Sequence, residues 1–312
     1  MSLSAEDRAR RGAAWALVLA TLFWGATFFL MKAGTVAIDR HLAPGTGAWA
    51  ALVFLMCRFA LAALAFPLVF PWILKAPRSA VKWGVWAGIP FAGGFVLQIY
   101  GLREVDPSIS ALFTSMFVLF TPLLMLVLFR KAPARNLVLG IGFAVGGLWL
   151  ITGAKGATLG AGEVLSLLCA LVFSAHIILT DIGTKRTDPI AMAWHSTTFA
   201  AVVCALPLAF LRPTPFAALP AILRERDALI GIAVTGLLAT VGSVALMNRF
   251  QKLLSPNRAA VIYTMEPVFA GIFSWIFFGE AFGERKLMGG VLILAGNVLC
   301  GLNLDRKPEP VT

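Results

Sequence analysis

Apolar residues recur in runs of about twenty from one end of the chain to the other, with short polar breaks between them. A helix rises about 1.5 Å per residue, so about twenty residues cross a hydrocarbon core of about 30 Å. The pattern predicts ten membrane helices, at 13–31, 46–70, 84–102, 108–129, 137–153, 159–180, 190–211, 229–248, 258–278 and 287–304. The stretch LREVDPSIS leaves almost no loop between the third and the fourth. Membrane strands would alternate apolar and polar side chains, whereas LVLATLFWGATFFL and VLILAGNVLCGL are continuously apolar. The expected fold is therefore an all-α polytopic membrane protein. Its opening MSLSAEDRARRG is expected to be a short basic head that leads straight into the first span, because no soluble remainder follows that span.

The pattern also repeats. SISALFTSMFVLFTPLLMLVLF (108–129) and NRAAVIYTMEPVFAGIFSWIFF (257–278) each carry small residues, an aromatic, a proline and then an apolar stretch. Their successors LGIGFAVGGLWLITG (139–153) and MGGVLILAGNVLCGL (288–302) share a spacing of glycines and aliphatics. Each pair would be the fourth and fifth spans of a five-helix unit. Five is odd, so the second copy enters the membrane from the opposite side, which makes a 5+5 inverted repeat of the kind carriers use to alternate access. The expected organisation is a head at 1–12, repeats at 13–153 and 159–304, and a tail at 305–312.

Composition agrees with the pattern: 59% of the 312 residues are hydrophobic, 13% are charged, and the mean hydropathy is +0.87. The net charge of +11 is spread in small groups at span ends. It forms no basic domain, so membrane lipids rather than nucleic acid are the expected partner. With the N-terminus in the cytoplasm, sixteen Lys and Arg residues fall on inside segments and nine on outside ones. That excess predicts both termini inside. Cys57, Cys169, Cys204 and Cys300 are far apart in apolar runs, with no metal-ligand spacing; no metal or other cofactor is expected.

The informative residues are polar ones inside apolar runs, since an ionisable group at depth is costly unless it faces protein or water. Glu266 lies about eight residues into the ninth span, or about 12 Å at the helical rise. It is either a cavity-facing carboxylate that takes a proton or an ammonium group, or a structural group that pairs with Arg58 or caps backbone freed by Pro267. Arg58, with at least ten span residues on either side, either meets a substrate carboxylate or holds a static pair. Lys32 ends the first expected span, where lysine ordinarily anchors to the interface. Trp24 beside Gly25 either lines a cavity or packs helices. His176 and His195 either relay protons or make packing hydrogen bonds. Gln98, Tyr100, Asn248 and Tyr263 add neutral polarity suited to a cavity that must release its ligand. Pro122 and Pro267 are expected to kink equivalent repeat positions, with Thr121 where the second copy has Glu266. The pairs Gly84/Gly88 and Gly142/Gly146 are spaced for close helix contact.

FWGATFFLMKAG (23–34), MCRFALAAL (56–64) and above all MEPVFAGIFSWIFFGEAF (265–282) resemble the EamA-type members of the drug/metabolite transporter superfamily. The resemblance spans nearly the whole chain. It implies a ten-helix secondary transporter, monomeric or dimeric, in a bacterial inner membrane. Such a carrier moves an amino acid, amine or drug-like compound by alternating access, with proton-coupled export among the mechanisms implied. The chain departs from the family where LFRKAP (128–133) stands in place of a Gly-Glu after the fourth span. The competing reading is a membrane-embedded enzyme acting on a lipid or isoprenoid, which would need a cluster of Asp and His or a nucleophile with its base.

Overall fold

The computed structural model describes residues 5–130, 135–152, 159–210, 215–254 and 262–301, and these are helical with no strand among them. The helices are α1 (Ala5–Asp39), α2 (Ala50–Val69), α3 (Arg78–Glu104), α4 (Pro107–Thr114), α5 (Phe117–Phe129), α6 (Arg135–Thr152), α7 (Ala161–Thr184) and α8 (Pro189–Ala209), followed by the short α9 (Leu219–Ile222), α10 (Arg226–Ala233), α11 (Ser243–Phe250), α12 (Glu266–Phe278) and α13 (Glu284–Gly301). Among the described residues seven segments are long and apolar enough to cross a membrane: Asp7–Asp39, Gly47–Val69, Arg78–Glu104, Pro107–Leu128, Ala161–Thr184, Pro189–Ala209 and Arg226–Met247. Asn136–Ile151 and Glu266–Phe278 are apolar but shorter. Large apolar side chains such as Leu68 (82% exposed) and Trp15 (73%) lie on the outside. In water such exposure would be a liability; against lipid it is expected.

Several expected boundaries shift, each for a local reason. α1 continues to Asp39 rather than stopping at residue 31, because no breaker occurs until Pro44 and Gly45, which turns the chain at φ +82°. The basic head is partly inside this helix, since α1 already begins at Ala5; residues 1–4 and the tail at 305–312 lie outside the described residues. α3 ends two residues before α4, where Pro107 opens the new helix at a position that has no intrahelical use for an N–H. α8 starts in a similar way at Pro189, with Asp188 Oδ1 accepting from Ala191 N at 2.8 Å. The expected fourth span is broken at Ser115–Met116. The eighth is widened into a nine-residue π-helix at Val234–Gly242. Thr240 and Ser243 reach back to Thr235 and Leu238 carbonyls five residues earlier. The start of the expected ninth span, 258–261, lies outside the described residues, and α12 begins only at Glu266.

The two halves correspond under an offset of 149 residues. Adding 149 to α5 and α6 gives the bounds of α12 and α13. The helix-ending residues Arg130 (φ 53°) and Gly279 (φ 63°), both left-handed, also correspond. This register moves the prolines off each other: Pro122 matches Gly271, Pro267 matches Val118, and Phe117 rather than Thr121 stands opposite Glu266. Pro122 is inside α5, while Pro267 is the second residue of α12 and starts that helix after a turn instead of bending it.

Packing follows the same correspondence. α1 lies on α12 as α7 lies on α4 and α5, and α3 lies on α7 as the α10, π and α11 segment lies on α1. α6 and α13 pack on each other through glycines. A Cβ on Gly147 would meet the Gly289 carbonyl at 2.5 Å, and one on Gly296 would meet the Gly140 carbonyl at 2.6 Å. The offset carries the pair Gly140–Gly296 onto Gly289–Gly147, so this contact maps onto itself. The expected pair Gly142/Gly146 is on the wrong face: nothing stands within 4 Å of a Cβ on Gly142. Gly84 and Gly88 do pack closely, against His195 and Phe199 of α8.

Candidate functional site

Four segments meet around the middle of α1. Gly25 lets α1 touch α12 at the backbone, since a Cβ there would be 2.9 Å from the Glu266 carbonyl and 2.6 Å from Phe269 Cβ. Trp24, next to it, stacks at a tilt on Tyr263 with centroids 5.5 Å apart. Its indole N–H donates to the Ala239 carbonyl in the π-helix at 3.1 Å. Arg58 of α2 donates to Thr240 Oγ1 at 3.4 Å, one residue along the same π segment, and a Cβ on Gly236 would meet the Arg58 carbonyl at 2.9 Å. π-turns inside α-helices are frequent at functional sites; here the widened segment supplies partners to both the aromatic and the cation.

Arg58 is 2% exposed. Its other neighbours are Met31 Sδ at 3.3 Å and the faces of Phe95 and Phe59, with Cζ 4.5 and 5.3 Å from their centroids. Its Nε has no hydrogen-bond partner, and among the described residues no carboxylate forms an ion pair with it. Sulfur, a hydroxyl and two π faces are weak compensation for a buried guanidinium. Glu266, half-buried at the first position of α12, is likewise in no ion pair or side-chain hydrogen bond among the described residues. Among the described residues neither the expected Arg58–Glu266 pair nor a Glu266 cap hydrogen bond is present. The carboxylate has instead the positive end of the α12 dipole beneath it.

The remaining candidates are dispersed. His176 Nδ1 lies 2.9 Å from the Ala87 carbonyl and Nε2 3.5 Å from Thr180 Oγ1, which ties α7 to α3. Tyr100 donates to the Ala48 carbonyl at 2.9 Å, and Tyr263 to Gln251 Oε1 at 2.9 Å. Gln98 is 3% exposed and its Oε1 is unpartnered. Asn248 lies in α11, its side chain outside the described set. Lys32 is seven residues inside α1 instead of at its end, and Nζ donates to the Val105 carbonyl at 2.6 Å, with Asp106, Glu280 and Glu104 the acids in its field.

Sequence reasoning missed the polar node beside it. Glu280, 7% exposed, accepts from Ser108 of α4, from Ser274 of α12 and from Lys286 of α13. Lys286 also reaches Asp106 Oδ2 at 3.0 Å. The node locks the α3–α4 turn to the α12–α13 turn at one end of the bundle. Its signal was present as an acid and a lysine six residues apart, but their other partners come from α4, α12 and the α3–α4 turn.

The EamA-like transporter family model matches the chain twice, over residues 11–153 and 160–302. The chain belongs to the EamA-like transporter family. A protein of Archaeoglobus fulgidus described as an uncharacterized transporter is 27% identical over 302 residues, covering 96% of this chain and 89% of its own length. A crystal structure described only as that of a protein aligns with a TM-score of 0.55 at 14% identity, covering 93% of this chain and 96% of its own. That likeness concerns the fold alone. As a family member with seven span-length apolar helices among the described residues, the chain is a multi-pass membrane transporter.

Proposed function

We propose that this EamA-family transporter is a secondary carrier of ten membrane helices in two inverted five-helix repeats. The shorter helices α6, α12 and α13 complete the spans, and both termini face the cytoplasm of a bacterial inner membrane. It moves a small metabolite, an amino acid, amine or drug-like compound, by alternating access through a site built from Trp24, Arg58, Tyr263 and Glu266. The observation that carries the reading is Arg58: a guanidinium 2% exposed, without an acidic partner among the described residues, is held where a substrate carboxylate would complete its coordination. Glu266, in no ion pair among the described residues at the entry to α12, is the proton or ammonium acceptor in this scheme. The exchange of contacts under the 149-residue offset supports two halves that trade conformations.

The test is counterflow in proteoliposomes loaded with a fractionated metabolite extract, with and without an imposed pH gradient. Wild type should concentrate at least one zwitterionic or cationic component. Glu266→Gln should abolish the response to the pH gradient, and Arg58→Met should reduce uptake at least about tenfold. Normal transport by both variants would remove these roles and leave only the family.

A further inference from the structure

At the end of α3 far from the Glu280 node, two neighbouring turns gather cations. α3 opens at Arg78, and its first two turns pack on the α7–α8 turn: Ser79 Oγ donates to Thr187 Oγ1 at 3.3 Å, and a Cβ on Gly183 would meet Trp83 Cβ at 3.3 Å. Arg186 lies over the Trp83 ring at 4.9 Å, a contact that holds the guanidinium without cancelling its charge. Lys75 ends the short 3-10 helix Pro71–Lys75, three residues before Arg78. Lys75, Arg78, Lys82 and Arg186 are all exposed, and none is in an ion pair among the described residues. The segment 70–82 has no acid of its own, and the two acids of 181–188 are engaged, Asp181 with Lys185 at 2.8 Å and Asp188 as the cap of α8.

The outer face of α3 carries this patch into the hydrocarbon. At 3.6 residues per turn, Arg78, Lys82, Trp86 and Ile89 fall within an arc of about 80° and span a rise of about 16 Å. Trp86 is 53% exposed and Ile89 52%, whereas Ala80, Gly84, Ala87 and Gly88 on the other side of the helix are buried. Cations, an indole and then an aliphatic side chain thus follow one another in order of depth, which is the order of headgroup, interface and acyl chain in a lipid leaflet.

We infer that this face binds an anionic membrane lipid with two phosphates, of the cardiolipin class. The phosphates are shared among Arg78, Lys82 and the flanking Lys75 and Arg186, with the guanidinium groups suited to phosphate oxygens, and the acyl chains lie along Trp86 and Ile89. A soluble phosphate compound uses the cations but not the apolar stripe below them; the lipid uses both. Two phosphates on one molecule suit four unneutralised cations, because the second binds intramolecularly once the first is held. α3 belongs to the first match of the family model and Arg186 to the second, so the lipid straddles the seam between the halves. The inference needs the membrane and not the carrier reading.

The experiment is native mass spectrometry of the full chain, delipidated in a neutral detergent and titrated with tetraoleoyl cardiolipin, dioleoyl phosphatidylglycerol or dioleoyl phosphatidylethanolamine. Wild type should retain one cardiolipin at least about tenfold more tightly than phosphatidylglycerol, and phosphatidylethanolamine least. Each cation near a charged lipid surface is worth about fivefold, so Arg78→Gln with Lys82→Gln should weaken cardiolipin about twenty- to thirtyfold. Both side chains are exposed, so the elution volume of that variant should not shift. Arg224→Gln with Arg226→Gln makes the same charge change at the other end of the bundle, well beyond the screening length of about 10 Å, and should alter binding by less than about twofold. Inorganic pyrophosphate should not displace the lipid. Equal retention of cardiolipin and phosphatidylglycerol, equal losses in the two double variants, or displacement by pyrophosphate overturns the proposal.

Discussion

Replacing Lys286 by Met leaves the Glu280 carboxylate, whose side chain is 4% exposed, with two serine donors and no cation. Removing one partner of a buried ion pair costs about 3–5 kcal/mol, because the remaining charge is uncompensated. The second arm of Lys286 adds little: Asp106 is 55% exposed, and such pairs are worth about 0–1 kcal/mol. The reverse change should be milder. In Glu280→Gln the lysine keeps Asp106 at 3.0 Å and is itself 15% exposed, so about 1–3 kcal/mol is expected, the range for a buried hydrogen-bonded group that loses its partner. The double variant removes both charges and should cost less than the sum of the singles, with a coupling of about 1–3 kcal/mol. Unfolding of the four proteins in mixed micelles, followed by tryptophan fluorescence against the denaturing detergent fraction, gives the cycle. A loss under about 1 kcal/mol for Lys286→Met, or strict additivity in the double variant, would refute the assignment of this node as the lock between the two turns.

Trp24→Phe keeps the stacking on Tyr263 but loses the indole bond to Ala239, so it should lower stability by about 1 kcal/mol in the same assay and raise hydrogen exchange across Val234–Gly242. Gly147→Leu drives a side chain into the Gly289 carbonyl and should cost about 1–3 kcal/mol or more, whereas Gly142→Ala, with open space around it, should be neutral or stabilising by up to about 1 kcal/mol; equal effects would place the helix face wrongly. Arg58→Met should retain the fold, shown by an unshifted elution volume, and reduce uptake at least about tenfold, as loss of a bond to a charged group worth about 1.5–3 kcal/mol requires.

The long spans were legible because hydrophobic length is a property of the local sequence: Gly47–Val69 departs by one residue at each end from the expected 46–70. Lys32 was misjudged because a mean apolar length does not say where a helix stops; α1 runs on through Val36 and Ile38 to Asp39. The π-helix was hidden, since TGLLATVG differs little from any α-helical apolar stretch and its widening depends on Trp24 and Arg58 donating from other helices. The proline alignment failed by four residues, about one helical turn, because proline is tolerated both at a helix start and inside a packed membrane helix. Arg58 and Glu266 stand out in the sequence as ionisable groups inside apolar runs, yet only the tertiary structure shows that the two do not pair with each other. The Glu280 node needed tertiary structure, as its members are up to about 180 residues apart.

The central claim is that Glu266 faces a passage reachable from each side of the membrane in turn. Thiol labelling tests it most directly. Cys57, Cys169, Cys204 and Cys300 are replaced by Ser, Glu266→Cys is introduced, and right-side-out and inside-out vesicles are treated with a membrane-impermeant methanethiosulfonate reagent. The account predicts modification in both preparations, with a transported solute changing the two rates in opposite directions; no reaction from either side, alongside a reactive surface cysteine as control, would contradict it.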